Sequence, residues 1–163
     1  MKKNLSNKQI EKYSRQIVLK NVGTIGQKKI LNSNVLVVGA GGLGCPVIDY
    51  LSRAGVGRLG IIDYDKIDPS NIHRQSIYTF KDVGKYKVDV LKRKIMDINP
   101  DVKTKIFKSK ITNKNVDKIL KQFDIIIDGS DNFKTKFLLN KFARKLKKTL
   151  IVGAISKYDG HVF

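Results

Sequence analysis

The chain has 163 residues, 41% of them hydrophobic, enough for one domain with a buried core, and its longest apolar runs are too short and glycine-broken to span a bilayer. The net charge is +19, yet the lysines run from Lys2 to Lys157 without forming a block and no aromatic–basic RNA motif accompanies them, so general lysine enrichment is preferred over a nucleic-acid or membrane surface. The lone Cys45 excludes an intrachain disulfide or a cysteine-built zinc site within the segment, and the cytoplasm is the default location.

Two lysines open the chain, but no apolar stretch follows them in MKKNLSNKQIEKYSRQ, so this is not a signal peptide. Ser6 is placed to cap a helix over NKQIEKYSRQIVL, with Ile10, Tyr13, Ile17 and Leu19 as an apolar stripe. A short helix, GQKKILNS, follows, and then strands and helices alternate. NVLVVG lacks polar alternation, as a parallel strand covered on both faces should. LGCPVIDYLSRAG is a helix with Pro46 in its first turn and Gly55 at its end. RLGIID is the second strand, and DVGKYKVDVLKRKIMDIN a helix stopped by Pro100. VKTKIF, DIIID and TLIVGA are the remaining strands, with helices over NKNVDKILKQ and NFKTKFLLNKFARKLK between them. The rhythm predicts a Rossmann-like α/β fold: a doubly wound, mostly parallel sheet with helices on both faces and an N-terminal helical extension. ISKYDGHVF reads as a hairpin turning at Asp159-Gly160. The chain stops as the return strand begins, so residues 1–163 are read as one domain at the N-terminal end of something longer.

The chemistry gathers at the strand ends. Gly39, Gly41 and Gly44 have G-x-G-x-x-G spacing between a strand and a helix. The first permits a tight turn, the second lets a phosphate approach the backbone, and the third lets helix and strand pack closely. Gly42 adds a further small residue where a ligand would lie, and the helix N-terminus offers free N–H groups to an anion. Asp63 closes the second strand, the position that accepts both ribose hydroxyls of an adenosine. Asp65 and Asp68 follow, either of which can cap the loop, and SNIHRQ brings Ser70, Asn71, Arg74 and Gln75. Arg74 and Lys87 are candidates for the β- and γ-phosphates, one as a two-pronged donor and one as a point charge. The fourth strand ends in DGSDN, where Asp131 is the candidate carboxylate for magnesium carried on ATP. The competing role for Asp131 is to cap the helix that starts at Phe133.

These stretches, in order YSRQIVL, VLVVGAGGLGCPV, AGVG, IIDYDKIDPSNIHRQ, VGKYKV, INP and DGSDNFKTKFLLN, closely resemble the ThiF/MoeB family of the ubiquitin-activating superfamily. The resemblance covers essentially the whole chain. It implies ATP- and magnesium-dependent adenylation of the C-terminal glycine carboxylate of a ubiquitin-like sulfur-carrier protein. By the same resemblance, Gly42, Asp63, Ser70, Asn71, Arg74, Lys87, Asp131 and Asn132 fall on ATP-site positions. Arg15 matches an arginine that the family inserts into the neighbouring subunit's site, which implies a homodimer. Arg15, Arg74, Lys87 and Asp131 are then the catalytic set. No general base is required, because the attacking carboxylate is already ionised, so His73 is read as a bystander. The two Cys-x-x-Cys pairs of the family's structural zinc do not occur in this chain and would belong to a C-terminal part. Cys45 is read as a small buried filler.

Two other readings stand beside this one. A non-catalytic partner subunit or inactive fragment would keep the fold and lose the activity: retention of Arg15, Arg74, Lys87 and Asp131 argues against it, the truncation argues for it, and the segment alone is expected to be weakly active or inactive. A nicotinamide-dependent oxidoreductase would share the glycine turn but has no need of Arg74 and Lys87.

Overall fold

The computed structural model describes residues 4–163, so Lys2 lies outside the described residues. Its centre is β1 (Asn34–Val38), flanked in parallel by β2 (Arg58–Ile62) and β4 (Ile125–Asp128). Outside these lie β3 (Lys103–Phe107) and β5 (Thr149–Ser156), also parallel, and β6 (Asp159–Val162) closes the order β3-β2-β1-β4-β5-β6 antiparallel to β5. Strand side chains alternate between two faces, and each face of β1 has its own apolar layer. Val35 and Val37 join Leu59, Ile61, Ile48 and Leu91 on one side. Leu36 and Val38 join Ile62, Ile126, Phe123 and Leu139 on the other. This double burial is why β1 carries no polar residue after Asn34, and each fully buried Leu or Ile contributes about 1.5–3 kcal/mol. Gly60 in β2 makes room for Phe123, whose ring would lie 2.3 Å from an added Cβ.

The helices that cover the sheet are α4 (Gly44–Ala54), α5 (Lys87–Ile98), α6 (Val116–Leu120) and α7 (Phe133–Lys145). α4 ends on Gly55 at φ +83, the left-handed cap predicted for it. None of the described helices is long and apolar enough to cross a membrane.

The N-terminal extension departs from the single helix expected. Ser6 and Gln9 form a reciprocal capping box on α1 (Asn7–Lys12), but the backbone breaks at Tyr13 and restarts as α2 (Ser14–Ile17), followed by α3 (Gly23–Asn32). The break lets Tyr13 drop into the protein, where its hydroxyl accepts a hydrogen bond from Asn99 Nδ2 at 2.9 Å; the same amide donates to Ser52 O at 2.8 Å. Of the expected apolar stripe, Tyr13 is buried, whereas Ile10 and Leu19 are exposed. Two further boundaries differ. The helix expected from Asp82 begins only at Lys87, because Gly84 sits at φ +82 and residues 80–82 form a separate 3-10 turn. The hairpin turns at residues 157–158, with Lys157 at φ 51, and Asp159-Gly160 belongs to β6.

Candidate functional site

Parallel register sets the ends of β1, β2 and β4 side by side: Val38 pairs with Ile62 on one side and Asp128 on the other. Ligands of open α/β sheets bind at this edge. From Val38 the chain enters the glycine turn. Gly39 adopts φ +90, and a Cβ there would lie 3.0 Å from Gly129 O, so conformation and space both require glycine. At Gly44, the first residue of α4, a Cβ would fall 2.0 Å from Gly39 O. Helix and turn meet at a distance that no side chain permits. Between them, positions 41 and 42 face Gln75 and Arg74: added Cβ atoms would lie 3.9 Å from Gln75 Nε2 and 3.8 Å from Arg74 Cδ.

Asp63 follows β2 and is nearly buried. Its Oδ2 accepts the Ala40 N–H at 2.7 Å and its Oδ1 accepts the Asp65 N–H at 2.7 Å. The carboxylate is thereby fixed between the glycine turn and the loop after β2, and each oxygen keeps a further lone pair for a hydroxyl donor. Asp65 in turn accepts from Lys87 Nζ at 3.1 Å. The Lys87 ammonium is only 6% exposed, and a cation so placed needs such a partner. Backbone pairing between the two loops puts it there: Lys87 N donates to Asp65 O at 3.0 Å, and Lys66 and Tyr86 form an antiparallel bridge. The sequence marked Lys87 and Asp65 separately; their ion pair is a product of this loop pairing.

The segment after Asp65 is a capped 3-10 turn, Pro69–Asn71. Asp68 Oδ1 accepts the Ser70 N–H at 2.9 Å, and hydrogen bonds from Ser70 hold the Asp68 carboxyl below its ordinary value. Asp68, not Asp65, therefore caps the loop. Asn71 Oδ1 accepts the Asp68 N–H at 3.3 Å, which completes the cap and leaves Arg74 one turn further on. Arg74 is exposed; its guanidinium donates to Ser70 O at 2.8 Å and lies 2.9 Å from His73 Nε2. Gln75 is buried, and its Oε1, like Ser130 Oγ, has no hydrogen-bond partner among the described residues. Two unpaired buried oxygens beside one glycine turn are unusual in a finished core.

After β4, Asn132 and not Asp131 caps α7: its Oδ1 accepts the Thr135 N–H at 2.9 Å. The competing structural role for Asp131 is thus filled by its neighbour, and among the described residues the exposed Asp131 carboxylate accepts only from Asn132 Nδ2, at 3.3 Å. Asp128 is fully buried, with Oδ1 accepting the Ser130 N–H at 2.8 Å and Oδ2 facing Lys136 Nζ at 3.4 Å. Lys136 also donates to Gly153 O at 2.8 Å, so it ties β4, α7 and β5 together. Sequence reasoning missed Lys136, one lysine among many. Arg15 is exposed on α2 and joins none of the crevice residues by hydrogen bond or ion pair within the described chain. Cys45 is fully buried behind the turn; burial pushes its thiol up to about 11, with the neighbouring Tyr78 hydroxyl and the Lys87 charge offsetting only part. It does more than fill space, because Sγ lies 3.4 Å from Ala40 O as a donor.

The crevice therefore combines backbone N–H groups at a helix start, a fixed carboxylate, two cations and an exposed carboxylate, a set suited to a nucleoside polyphosphate. Among the described residues no group of three or more His, Cys, Asp or Glu could hold a metal ion.

Known proteins are similar to this chain over most of its length. A sulfur carrier protein adenylyltransferase of Thermus thermophilus is 42% identical over 157 residues, 96% of this chain and 58% of that protein. A probable molybdopterin-synthase adenylyltransferase of Porphyra purpurea is 41% identical over 151 residues, 93% of this chain and 40% of that protein. The chain thus spans about half the length of these relatives. Among solved structures, the tRNA N6-threonylcarbamoyladenosine dehydratase TcdA of E. coli in complex with AMP superposes with a TM-score of 0.86 at 25% identity, over 95% of this chain and 64% of that one. The model of the ThiF family matches residues 13–163, and the chain belongs to that family.

Proposed function

We propose that residues 1–163 form the nucleotide-binding domain of an enzyme that adenylates the C-terminal glycine carboxylate of a ubiquitin-like sulfur-carrier protein, releasing pyrophosphate. The observation that carries this reading is the gathering of Asp63, Arg74 and Lys87 at one glycine turn. The names of the relatives, a sulfur carrier protein adenylyltransferase and a molybdopterin-synthase adenylyltransferase, support the substrate class. AMP in the related TcdA structure supports an adenine nucleotide.

In this reading the ribose hydroxyls donate to Asp63, and the phosphates lie along the N–H groups of residues 41 to 44. The Ser70–Asn71 turn holds Arg74 beside the phosphates. A carboxylate oxygen of the carrier attacks the α-phosphorus; the bond to the bridging oxygen of pyrophosphate breaks, and its electron pair leaves with that group. Two anions must meet, so cations that offset their repulsion do most of the work. Arg74 and Lys87 supply that charge from this chain, and Arg15 supplies it to the other site of a homodimer. Magnesium arriving on ATP would neutralise phosphate charge, and the single exposed carboxylate of Asp131, with Asn132 beside it, suits a metal otherwise held by phosphate and water. The setting is the cytoplasm.

The test is exchange of labelled pyrophosphate into ATP, with calorimetry beside it. ATP with magnesium should bind and NAD should not, and exchange should require a carrier ending in glycine. NAD binding tighter than ATP would overturn the reading.

A further inference from the structure

We propose that Tyr78 is a positioning residue: its hydroxyl, seconded by the Cys45 thiol, locks the Ala40–Gly41 peptide so that the Gly41 N–H faces the phosphates. The inference rests on the nucleotide reading above and adds a component behind the crevice wall.

Both ends of Ala40 are engaged. Its N–H donates to Asp63 Oδ2 at 2.7 Å, and its carbonyl accepts from the Tyr78 hydroxyl at 3.0 Å and from Cys45 Sγ at 3.4 Å. Ala40, Cys45 and Tyr78 are all buried, so the carbonyl points into the protein. The chain has no cis peptide bond among the described residues. In a trans peptide the C=O of one residue and the N–H of the next point in opposite directions. Drawing the Ala40 carbonyl inward therefore aims the Gly41 N–H outward, on the side where Gly41 is only half-buried and Gly42 is exposed.

The lock has a reason to exist. Gly41 has no Cβ to bias its dihedrals, so the peptide before it can rotate at low cost. A rotated peptide would present a carbonyl oxygen, not a donor, to the phosphates. Two donors on one carbonyl oppose that rotation, and burial raises the Tyr78 phenol above its ordinary value, which keeps it protonated as a donor. Tyr78 comes from the stretch between Arg74 and Lys87, so the segment that carries the two cations also sets the turn they face.

A merely structural tyrosine would fill space with its ring, and Tyr78→Phe keeps the ring. The test compares wild type and Tyr78→Phe for binding of ATP and of adenosine, which reaches Asp63 but has no phosphate. ATP affinity should fall about tenfold, the worth of one well-placed hydrogen bond, while adenosine affinity stays within about twofold. Equal loss for both ligands, or loss for neither, overturns the proposal. Wild type that fails to bind ATP at all instead sinks the nucleotide reading itself. If the variant does not fold, nitrogen-15 spectra of the wild type decide. The Gly41 amide proton should move downfield with ATP and with pyrophosphate but not with adenosine; a Gly41 amide indifferent to phosphate overturns the proposal.

Discussion

Asp63 serves the fold and the candidate ligand with one carboxylate. It accepts two backbone N–H groups at 2.7 Å from residues 23 and 2 positions away in sequence. Asp63→Ala should therefore lower the melting temperature as well as nucleotide affinity, because it orphans those donors. Each charge-assisted bond lost is worth about 1.5–3 kcal/mol. An unchanged melting temperature would mean the two bonds carry no weight in the fold. Cys45 offers a second check at this scale. Its thiol, buried and pushed up to about 11, should resist iodoacetamide at pH 8 in the native protein and react readily in guanidinium. Fast native labelling would show that the turn opens. The glycines and Asp63 were legible in the sequence because spacing after a strand reports where a residue lies. That Asp63 holds the Ala40 N–H, or that Tyr78 holds its carbonyl, was not, because contacts across tens of residues leave no local pattern.

The strands were the most legible elements. Burial on both faces removes polar alternation, and β1 and β2 show this directly. Boundaries set by tertiary contacts were not legible. The run from Asp82 to Tyr86 has helix-compatible residues, but the bridge of Tyr86 to Lys66 and the left-handed Gly84 hold it as a loop. At the hairpin, a turn at Asp159-Gly160 would end the ladder at Ser156. The register Ser156↔Asp159 instead carries it down to Val152, which exchanges two backbone hydrogen bonds with Phe163. The same loop supplies a prediction. Asp82, buried in the turn before α5, accepts from Thr79 at 2.8 Å and from Arg93 on α5 at 2.8 Å. Burial pushes its carboxyl up, but the hydrogen bonds from Thr79 and Arg93 prevail and the net shift is downward. A carboxyl held below its unfolded value contributes stability that is present above that value and lost as pH falls through the folded one. Asp82→Asn should thus cost about 2 kcal/mol near pH 7, and the gap to wild type should close below about pH 4 in denaturant titrations. A gap that ignores pH would assign the effect to shape alone.

At the scale of the molecule, the proposed dimer makes Arg15 part of a site it does not touch within its own chain. Arg15→Ala should leave the melting temperature nearly unchanged, since an exposed charge adds little to stability. In a full-length version, pyrophosphate exchange should slow by about 10³, the order a phosphate-clamping arginine contributes. Mixed with Asp131→Ala, it should regain activity, because one site of each mixed dimer then has both residues. No recovery once subunit exchange is confirmed would place Arg15 in its own chain's chemistry or outside it. The root of this arm lies elsewhere. Tyr13, two residues before Arg15, is seated where Gly55 has no side chain, and a Cβ on Gly55 would fall 2.4 Å from the Tyr13 hydroxyl oxygen. Gly55 ends a helix on the far side of the nucleotide-binding unit from its chemistry, yet in the proposed dimer it would set the footing of an arm that reaches into the other subunit. On that proposal, Gly55→Ala, far from the crevice in its own chain, should slow pyrophosphate exchange through the neighbour's site; exchange at the wild-type rate would detach Tyr13's seat from the placement of Arg15.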